Sequence, residues 1–376
     1  MNPNELKLQL KAEANRLGFS LFGVATATDA DGFERFTSWL GEGYHGEMDY
    51  LAKRRDARRS PASVLASVRS VVMLGFEYGQ AVQESYKSLG RVAAYARGPD
   101  YHGLIWEKLN ALGSFLQTQD VAAEFRGVTD SAPLLEREFA RRAGLGWFGK
   151  NTMLINKHRG SFFFLAGFLT NLDLPADEPY RTNHCGTCTA CLDACPTDAF
   201  VTAGTLDARK CISYLTIESK SAFPLELRPA VRNWLFGCDV CQEVCPWNRH
   251  AGKTPVPFPA DAELVALDPL ELLAMSEAEF RTRFKPTPLF RPKWSGLRRN
   301  AAIVLGNVGD EKALPILACA LADVNEVVRE AATWAIDQIR ERQGTGAPQP
   351  AGPDRPVAQP AVNSVSSHAG SAIING

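Results

Sequence analysis

The sequence has no excess of charge of either sign: 41 Lys and Arg stand against 42 Asp and Glu in 376 residues. The whole-chain balance therefore names no partner, and a charge-guided contact must come from a local stretch. A long apolar run is also missing. The most apolar segment, residues 162–169, falls far short of the roughly 18–20 residues that span a bilayer. Residues 1–11 are charged and amphipathic, without an apolar signal core or a twin arginine, so we expect a soluble, cytoplasmic protein with no membrane partner. Disulfides are not expected in that compartment. Yet there are nine cysteines, and eight of them fall within residues 185–245. Clustering of that kind points to metal.

The length allows two or three domains at roughly 100–200 residues each, and 45% hydrophobic residues can fill a core. Leu6, Leu10, Ala14 and Leu17 repeat at helical spacing, and Gly18 follows as a cap, which predicts a helix over 4–18. Residues 20–25 and 71–76 read as buried strands. Ile105, Leu109, Leu112 and Leu116 mark a second helix. A strand over 121–128, a charged helix over 134–143 and a core strand over 162–170 complete a mixed α and β domain, residues 1–178. Residues 179–250 are cysteine-rich and poor in periodic elements. A domain of that kind needs no large core if metal–thiolate bonds hold its loops.

Residues 251–342 begin as a proline-rich, basic linker and continue from Leu297 as three helices. Their stripes are Ala301, Val304, Leu305 and Val308, then Leu314, Leu317 and Leu321, then residues 324–339. The strings Arg298-Arg-Asn-Ala-Ala302 and Val328-Arg-Glu-Ala-Ala332, with a loop at Gly309-Asp310, resemble HEAT-type helical repeats. About one and a half repeats fit, so this part must lean on the rest of the protein. Cys319 falls inside its apolar run and is expected to be a small buried side chain. Residues 343–376 hold small and polar residues and are expected to be a disordered tail. The fold class is α+β: a mixed α/β domain, a bacterial ferredoxin-like domain and a C-terminal HEAT-like cap.

The chemistry is written in the cysteines. Cys185-x2-Cys188-x2-Cys191-x3-Cys195-Pro196 is followed by Cys211 and then Cys238-x2-Cys241-x3-Cys245-Pro246. Two-residue gaps let one short loop offer three thiolates to three irons of a cube. In two-cluster ferredoxins the cysteine before proline ligates the other cube. That logic assigns Cys185, Cys188, Cys191 and Cys245 to one [4Fe-4S] cluster, and Cys195, Cys211, Cys238 and Cys241 to a second. The alternative is a pair of structural zinc sites. Zinc calls for neither a third cysteine at the same spacing nor two Cys-Pro ends.

Two further motifs mislead. Gly144-x-Gly146-x-x-Gly149 matches a dinucleotide fingerprint, but a charged helix precedes it where a strand is required. Gly144-x4-Gly149-Lys150 nearly makes a phosphate loop, but Asn151 stands where the magnesium-binding Ser or Thr belongs. Residues 281–300, by contrast, carry Arg281, Arg283, Lys285, Arg291, Lys293, Arg298 and Arg299 with no acidic residue. Phe284, Phe290 and Trp294 are interleaved with them. Cations meet phosphates and rings stack on unpaired bases, so Arg281, Phe284, Arg291, Lys293, Trp294, Arg298 and Arg299 are candidate RNA contacts. A solvated basic face is the plain alternative.

The array is joined to Tyr95-Ala-Arg97-Gly-Pro-Asp100-Tyr101-His102, to Asp130-Ser-Ala-Pro133-Leu-Leu-Glu136-Arg137, and to Ala143-Gly-Leu-Gly-Trp147-Phe-Gly-Lys150-Asn151-Thr152. In order and linkage these strings resemble the epoxyqueuosine reductase family over residues 4–340. The resemblance implies reduction of epoxyqueuosine at the wobble position of tRNA, with the epoxide oxygen lost as water. It implies cobalamin in the N-terminal domain, electrons passed through two [4Fe-4S] clusters, and tRNA held with help from the helical cap. Asp100-x-His102 begins a corrinoid DxHxxG motif, but Ile105 occupies the glycine position, as suits a corrinoid bound without a histidine ligand. Asp130 matches the family's proton donor; the plain alternative is a cap on a helix beginning near Pro133. Arg58, Ala93, Ser161, Ser213 and Asp239 stand at family-like corrin-contact positions, each with an ordinary structural role as its alternative. A monomer fed by an external electron donor is expected. The rival readings are a corrinoid reductive dehalogenase, which shares the cofactor pair, and a plain ferredoxin-type carrier, which would leave residues 1–178 without a task.

Overall fold

The computed structural model of the chain describes residues 2–79, 90–249 and 258–345. A four-stranded antiparallel sheet forms its first layer, with strands in the order Leu21–Thr26, Ser70–Glu77, Phe163–Thr170 and Phe125–Val128. Val72 is paired with Val24 on one side and Phe168 on the other. All eight residues of Ser70–Glu77 are buried. Its side chains alternate between two cores. Val72, Leu74 and Phe76 pack with Leu6 and Leu10 of the Pro3–Arg16 helix and with Ile105 and Leu109 of the Tyr101–Gln119 helix. Val71 and Met73 pack with Phe139 and Ala140 of the Glu136–Arg142 helix. Each such fully buried side chain contributes about 1.5–3 kcal/mol. A strand covered on both faces needs no polar alternation, which is why residues 71–76 read as one apolar run. The strand expected from residue 121 begins only at Phe125. Val121 is 93% exposed, because the Asp120 side chain and carbonyl accept the amides of Ala122 and Ala123 and turn the chain first.

A second, three-stranded sheet sews the sequence together. Gly90–Val92 is its centre, flanked by Trp234–Phe236 in parallel and Ala266–Leu267 antiparallel. One core then runs from Val92 through Trp234, Leu235 and Phe236 to Phe284, Ile303 and Ile336. The cysteine-rich stretch was expected to do without a large core, and its second half departs from that: Val231, Trp234, Leu235 and Phe236 are at most 1% exposed. The three expected C-terminal helices are Lys293–Val308, Leu314–Ala320 and Glu326–Thr345. The first and last pack so closely that a Cβ at Gly306 would lie 2.4 Å from the Trp334 ring. Cys319 is exposed, contrary to expectation, because Leu317 and Ala320 carry the buried face of its helix. Residues 343–345 end the last helix, and the remainder of the expected tail lies outside the described residues.

Candidate active site and cluster cradles

Each cysteine run turns into a short helix, Ala190–Asp193 or Val240–Glu243, and the two helices pack against each other. The thiols gather in two quartets. Cys185, Cys188, Cys191 and Cys245 line one cavity of about 230 Å³ together with Lys150, His184 and Trp247. Burial, then the neighbouring Cys245, Cys185 and Cys188 sulfurs, push the Cys191 thiol up to about 11. Burial, then Cys241 and Cys211, raise the Cys238 thiol well above its ordinary range, and Cys195 adds to burial in raising Cys211. Thiols so placed ionise only against compensating cations, as iron provides. Among the described residues no three Cys, His, Asp or Glu side chains converge on a single-ion site. The sulfurs of the first quartet surround a space, and the donor set fits four-iron cubes better than zinc.

The Gly144 to Thr152 string braces both cradles. Gly144 turns the chain with φ +76° after the Glu136–Arg142 helix, and Trp147–Phe148 then pairs with Leu154–Ile155 as a hairpin. No helix opens at Gly149, so no phosphate loop forms. Instead Lys150 Nζ donates to the carbonyls of Gly186 (2.8 Å) and Cys188 (2.9 Å). The Asn151 side chain donates to the Cys241 carbonyl (3.2 Å). Trp147 lies edge-on to His184 and Trp247, at 4.8 and 5.1 Å between centroids, beside the first quartet.

A separate group forms where the four-stranded sheet meets the linker. Asp130 follows the Phe125–Val128 strand with φ +51°, a left-handed conformation that Asp tolerates better than most residues. It does not cap a helix: the next one starts at Glu136, behind Leu135, with no side-chain cap. The Asp130 Oδ2 accepts the Tyr101 hydroxyl, and its amide donates to Glu136 Oε1 at 2.8 Å. Burial, then the Asp130 charge, raise the Tyr101 hydroxyl, keeping it protonated as a donor. Tyr101 stacks on Phe164 at 4.2 Å and meets Tyr95 edge-on at 6.2 Å; Tyr95 in turn lies 6.2 Å from Phe236, two residues before Cys238. Tyr50 closes the group. Burial raises its hydroxyl, Glu218 and Asp130 add to that, and Arg291 and Arg58 oppose it. Arg291 is held by both oxygens of Glu218 (3.0 and 3.2 Å) and lies 5.7 Å from the Tyr50 ring.

Of the corrin-contact candidates, Arg58 and Asp130 belong to this group. Arg58 donates to the Arg54 carbonyl at 3.1 Å and lies over the Phe36 ring. Ser213 is half-buried, and its amide points at the Cys211 sulfur. Ala93, Ser161 and Asp239 have only 1–2% of their surface exposed. The Ser161 hydroxyl donates to Gln242, and Asp239 accepts the Ala94 amide and the Gln242 side chain. These three support the wall rather than line it.

The basic segment divides. Arg281, Lys285, Arg291 and Lys293 are exposed. Four candidates are not free for RNA. Phe284 has no exposed surface. Trp294 is half-buried and donates to the Met275 carbonyl. Arg298 is bonded to Asp323 and the Leu273 carbonyl. Arg299 is 1% exposed and donates to the carbonyls of Leu215, Ser219 and Ser221. The residues that sequence reasoning missed are Tyr50, Glu136 and Glu218, the partner of Arg291. Glu136 stands in the Asp130 string, but in a charged helix a half-buried acid looks like surface.

The family model for a 4Fe-4S double cluster binding domain matches residues 184–248, the epoxyqueuosine reductase QueG model matches residues 58–131, and HEAT repeats match residues 291–344. The Pseudomonas aeruginosa epoxyqueuosine reductase is 41% identical over 89% of this chain and 95% of its own length. The Escherichia coli enzyme is 39% identical over 90% and 91%. A crystal structure of epoxyqueuosine reductase with an epoxyqueuosine-modified tRNA-Tyr stem loop superposes with a TM-score of 0.83 at 33% identity, covering 90% of this chain and 91% of that one. The Bacillus subtilis enzyme, solved with its catalytic aspartate loop swung out of the active site, gives 0.82 at 32% over the same shares. Cysteine quartets, sheet layer and helical cap thus fall together, and the chain belongs to the epoxyqueuosine reductase family.

Proposed function

We propose that this epoxyqueuosine reductase holds cobalamin between the Asp130 loop and the second cysteine quartet, and that Asp130 supplies the proton with which the epoxide oxygen leaves. The observation that carries this reading is the placement of Asp130. Its carboxylate is exposed, tied to Tyr101 instead of a helix end, and joined by Tyr95 and Phe236 to the Cys238 loop. The surroundings suit a flat macrocycle fringed with amides: Tyr50 and Tyr95 offer aromatic surface, Tyr101 is buried between Phe164 and His102, and Arg58 and Arg291 offer donors for amide oxygens. Bound there, cobalamin supplies low-valent cobalt, a strong reductant for an epoxide carbon.

The chain's own residues do the rest. Opening the C–O bond puts negative charge on oxygen, and a positioned acid relieves it. Tyr101 fixes one Asp130 oxygen and leaves the other for the substrate. The Cys185 quartet, whose Cys188 is exposed, receives electrons from an external carrier. The quartet of Cys195, Cys211, Cys238 and Cys241 passes them inward. Exposed Arg281, Lys285 and Lys293 meet tRNA phosphates around the wobble nucleotide, while Arg291 stays with Glu218 and the corrin side. The protein works as a monomer in the cytoplasm; no helix among its described residues is long and apolar enough to cross a membrane.

Asp130→Asn tests the reading. Asn tolerates the left-handed backbone and still accepts from Tyr101, so clusters, cobalamin and tRNA binding should persist. Turnover should fall by about a hundred- to ten-thousand-fold, the usual worth of general acid assistance. Near-wild-type turnover in a fully loaded variant would place the proton donor elsewhere.

A further inference from the structure

We propose that Glu136 is a positioning residue that latches the Asp130 amide and so holds the acid-bearing loop in its working place. The inference rests on the reading of Asp130 as proton donor and adds to it. Asp130 needs such a tie. A non-glycine residue in the left-handed backbone region is strained and persists only where its surroundings hold it there. Residues 129–135 contain no helix or strand. Thr129 is anchored by its hydroxyl to the Leu165 carbonyl at 2.9 Å. Beyond it, Asp130 is held at its side chain by Tyr101 and at its backbone by Glu136.

Glu136 is also unusual for its position. It is the first residue of the Glu136–Arg142 helix, where a carboxylate ordinarily serves the free amides of its own helix. Here it reaches back six residues to the loop instead. Its setting favours a neutral acceptor: burial, then the Asp130 charge, raise its carboxyl well above the ordinary range, against Arg137 and Arg58. A neutral carboxyl still accepts an N–H through its carbonyl oxygen. It does so without placing a negative charge of its own beside Asp130. Arg137, the next residue, ties the same helix start to the Thr152 carbonyl at 2.6 Å, so the latch is mounted on the element that also carries the cluster-bracing string.

The test compares Glu136→Ala and Glu136→Gln in the full chain loaded with both clusters and cobalamin, using epoxyqueuosine-bearing tRNA. The alanine variant should lose about 2- to 10-fold in kcat, the equivalent of one neutral hydrogen bond at a tenfold per 1.4 kcal/mol. Its KM for tRNA should hardly move. Gln keeps an acceptor oxygen and should restore kcat close to wild type. Hydrogen exchange at the Asp130 amide should be slow in wild type and in the Gln variant, and fast in the Ala variant. Wild-type kcat in Glu136→Ala would overturn the latch, as would a Gln variant as slow as the Ala one. An unprotected Asp130 amide in the wild-type holoenzyme would overturn it whatever the variants do, including an alanine variant that fails to fold. Asp130→Asn run in parallel separates the two ideas. If it is slow while Glu136→Ala is fast, the latch alone fails; if both are fast, the reading of Asp130 fails first.

Discussion

Arg299 illustrates how the structure reassigns a residue that a charge count places at an RNA surface. Its guanidinium lies 1% exposed over the Phe223 ring at 4.3 Å. It donates at 2.8, 2.7 and 2.9 Å to the carbonyls of Ser219, Ser221 and Leu215, and further to the Asn300 side chain. Burial lowers its pKa to about 10, so it remains charged at neutral pH. Arg299→Met fills similar space but leaves the buried carbonyls of Leu215 and Ser219, and the part-buried one of Ser221, without this donor. An unsatisfied buried group costs about 1–3 kcal/mol, while removing a desolvated charge returns part of that. A net loss of about 2–4 kcal/mol follows, a large share of a typical 5–15 kcal/mol. The loop it releases includes Glu218, which holds Arg291, and is fastened on its other side by Glu47. Thermal unfolding of the purified holoprotein should therefore show a clear drop in midpoint for Arg299→Met. Arg281→Ala with Lys285→Ala should leave the midpoint unchanged and flatten the salt dependence of tRNA binding. An Arg299→Met protein with wild-type stability and weakened tRNA binding would refute this reasoning and return Arg299 to the surface.

Two further outcomes are expected. Cys185→Ser should remove iron from the first quartet and largely spare the second, read as about half the iron per chain and loss of one cluster's spectroscopic signal; equal loss of both clusters would contradict the crossed ligand sets. Gly237→Ala should damage the second cluster, because Gly237 has φ +69° and a Cβ there would lie 2.5 Å from that of Ala93; a variant with full iron content would show that the loop has room.

The parts that were legible in the sequence are those set by local chemistry. The double-cluster domain follows from cysteine spacing, which a short loop must satisfy whatever surrounds it. Residues 71–76 and 162–170 declared themselves because both faces are buried. The shared sheet was hidden, since Gly90–Val92 meets partners far away in the chain and three residues are too few to show a period. Arg299 was misassigned because its helix is buried on almost every side from Gly296 to Asn307, so no polar stripe marks the surface face. Cys319 is a different case. A residue two positions beyond Leu317 points nearly opposite to it on a helix, so the phase of the stripe already placed it outside.

The central claim is that Asp130, two clusters and cobalamin act together on tRNA. The most direct measurement is anaerobic single turnover of epoxyqueuosine-bearing tRNA by the reconstituted protein, with nucleoside mass spectrometry as readout and Asp130→Asn alongside. Wild type loaded with both clusters and cobalamin should convert epoxyqueuosine to queuosine, protein lacking cobalamin should not, and Asp130→Asn should be slower by about a hundredfold or more. Conversion at the same rate without cobalamin, or with Asp130→Asn, would contradict the account.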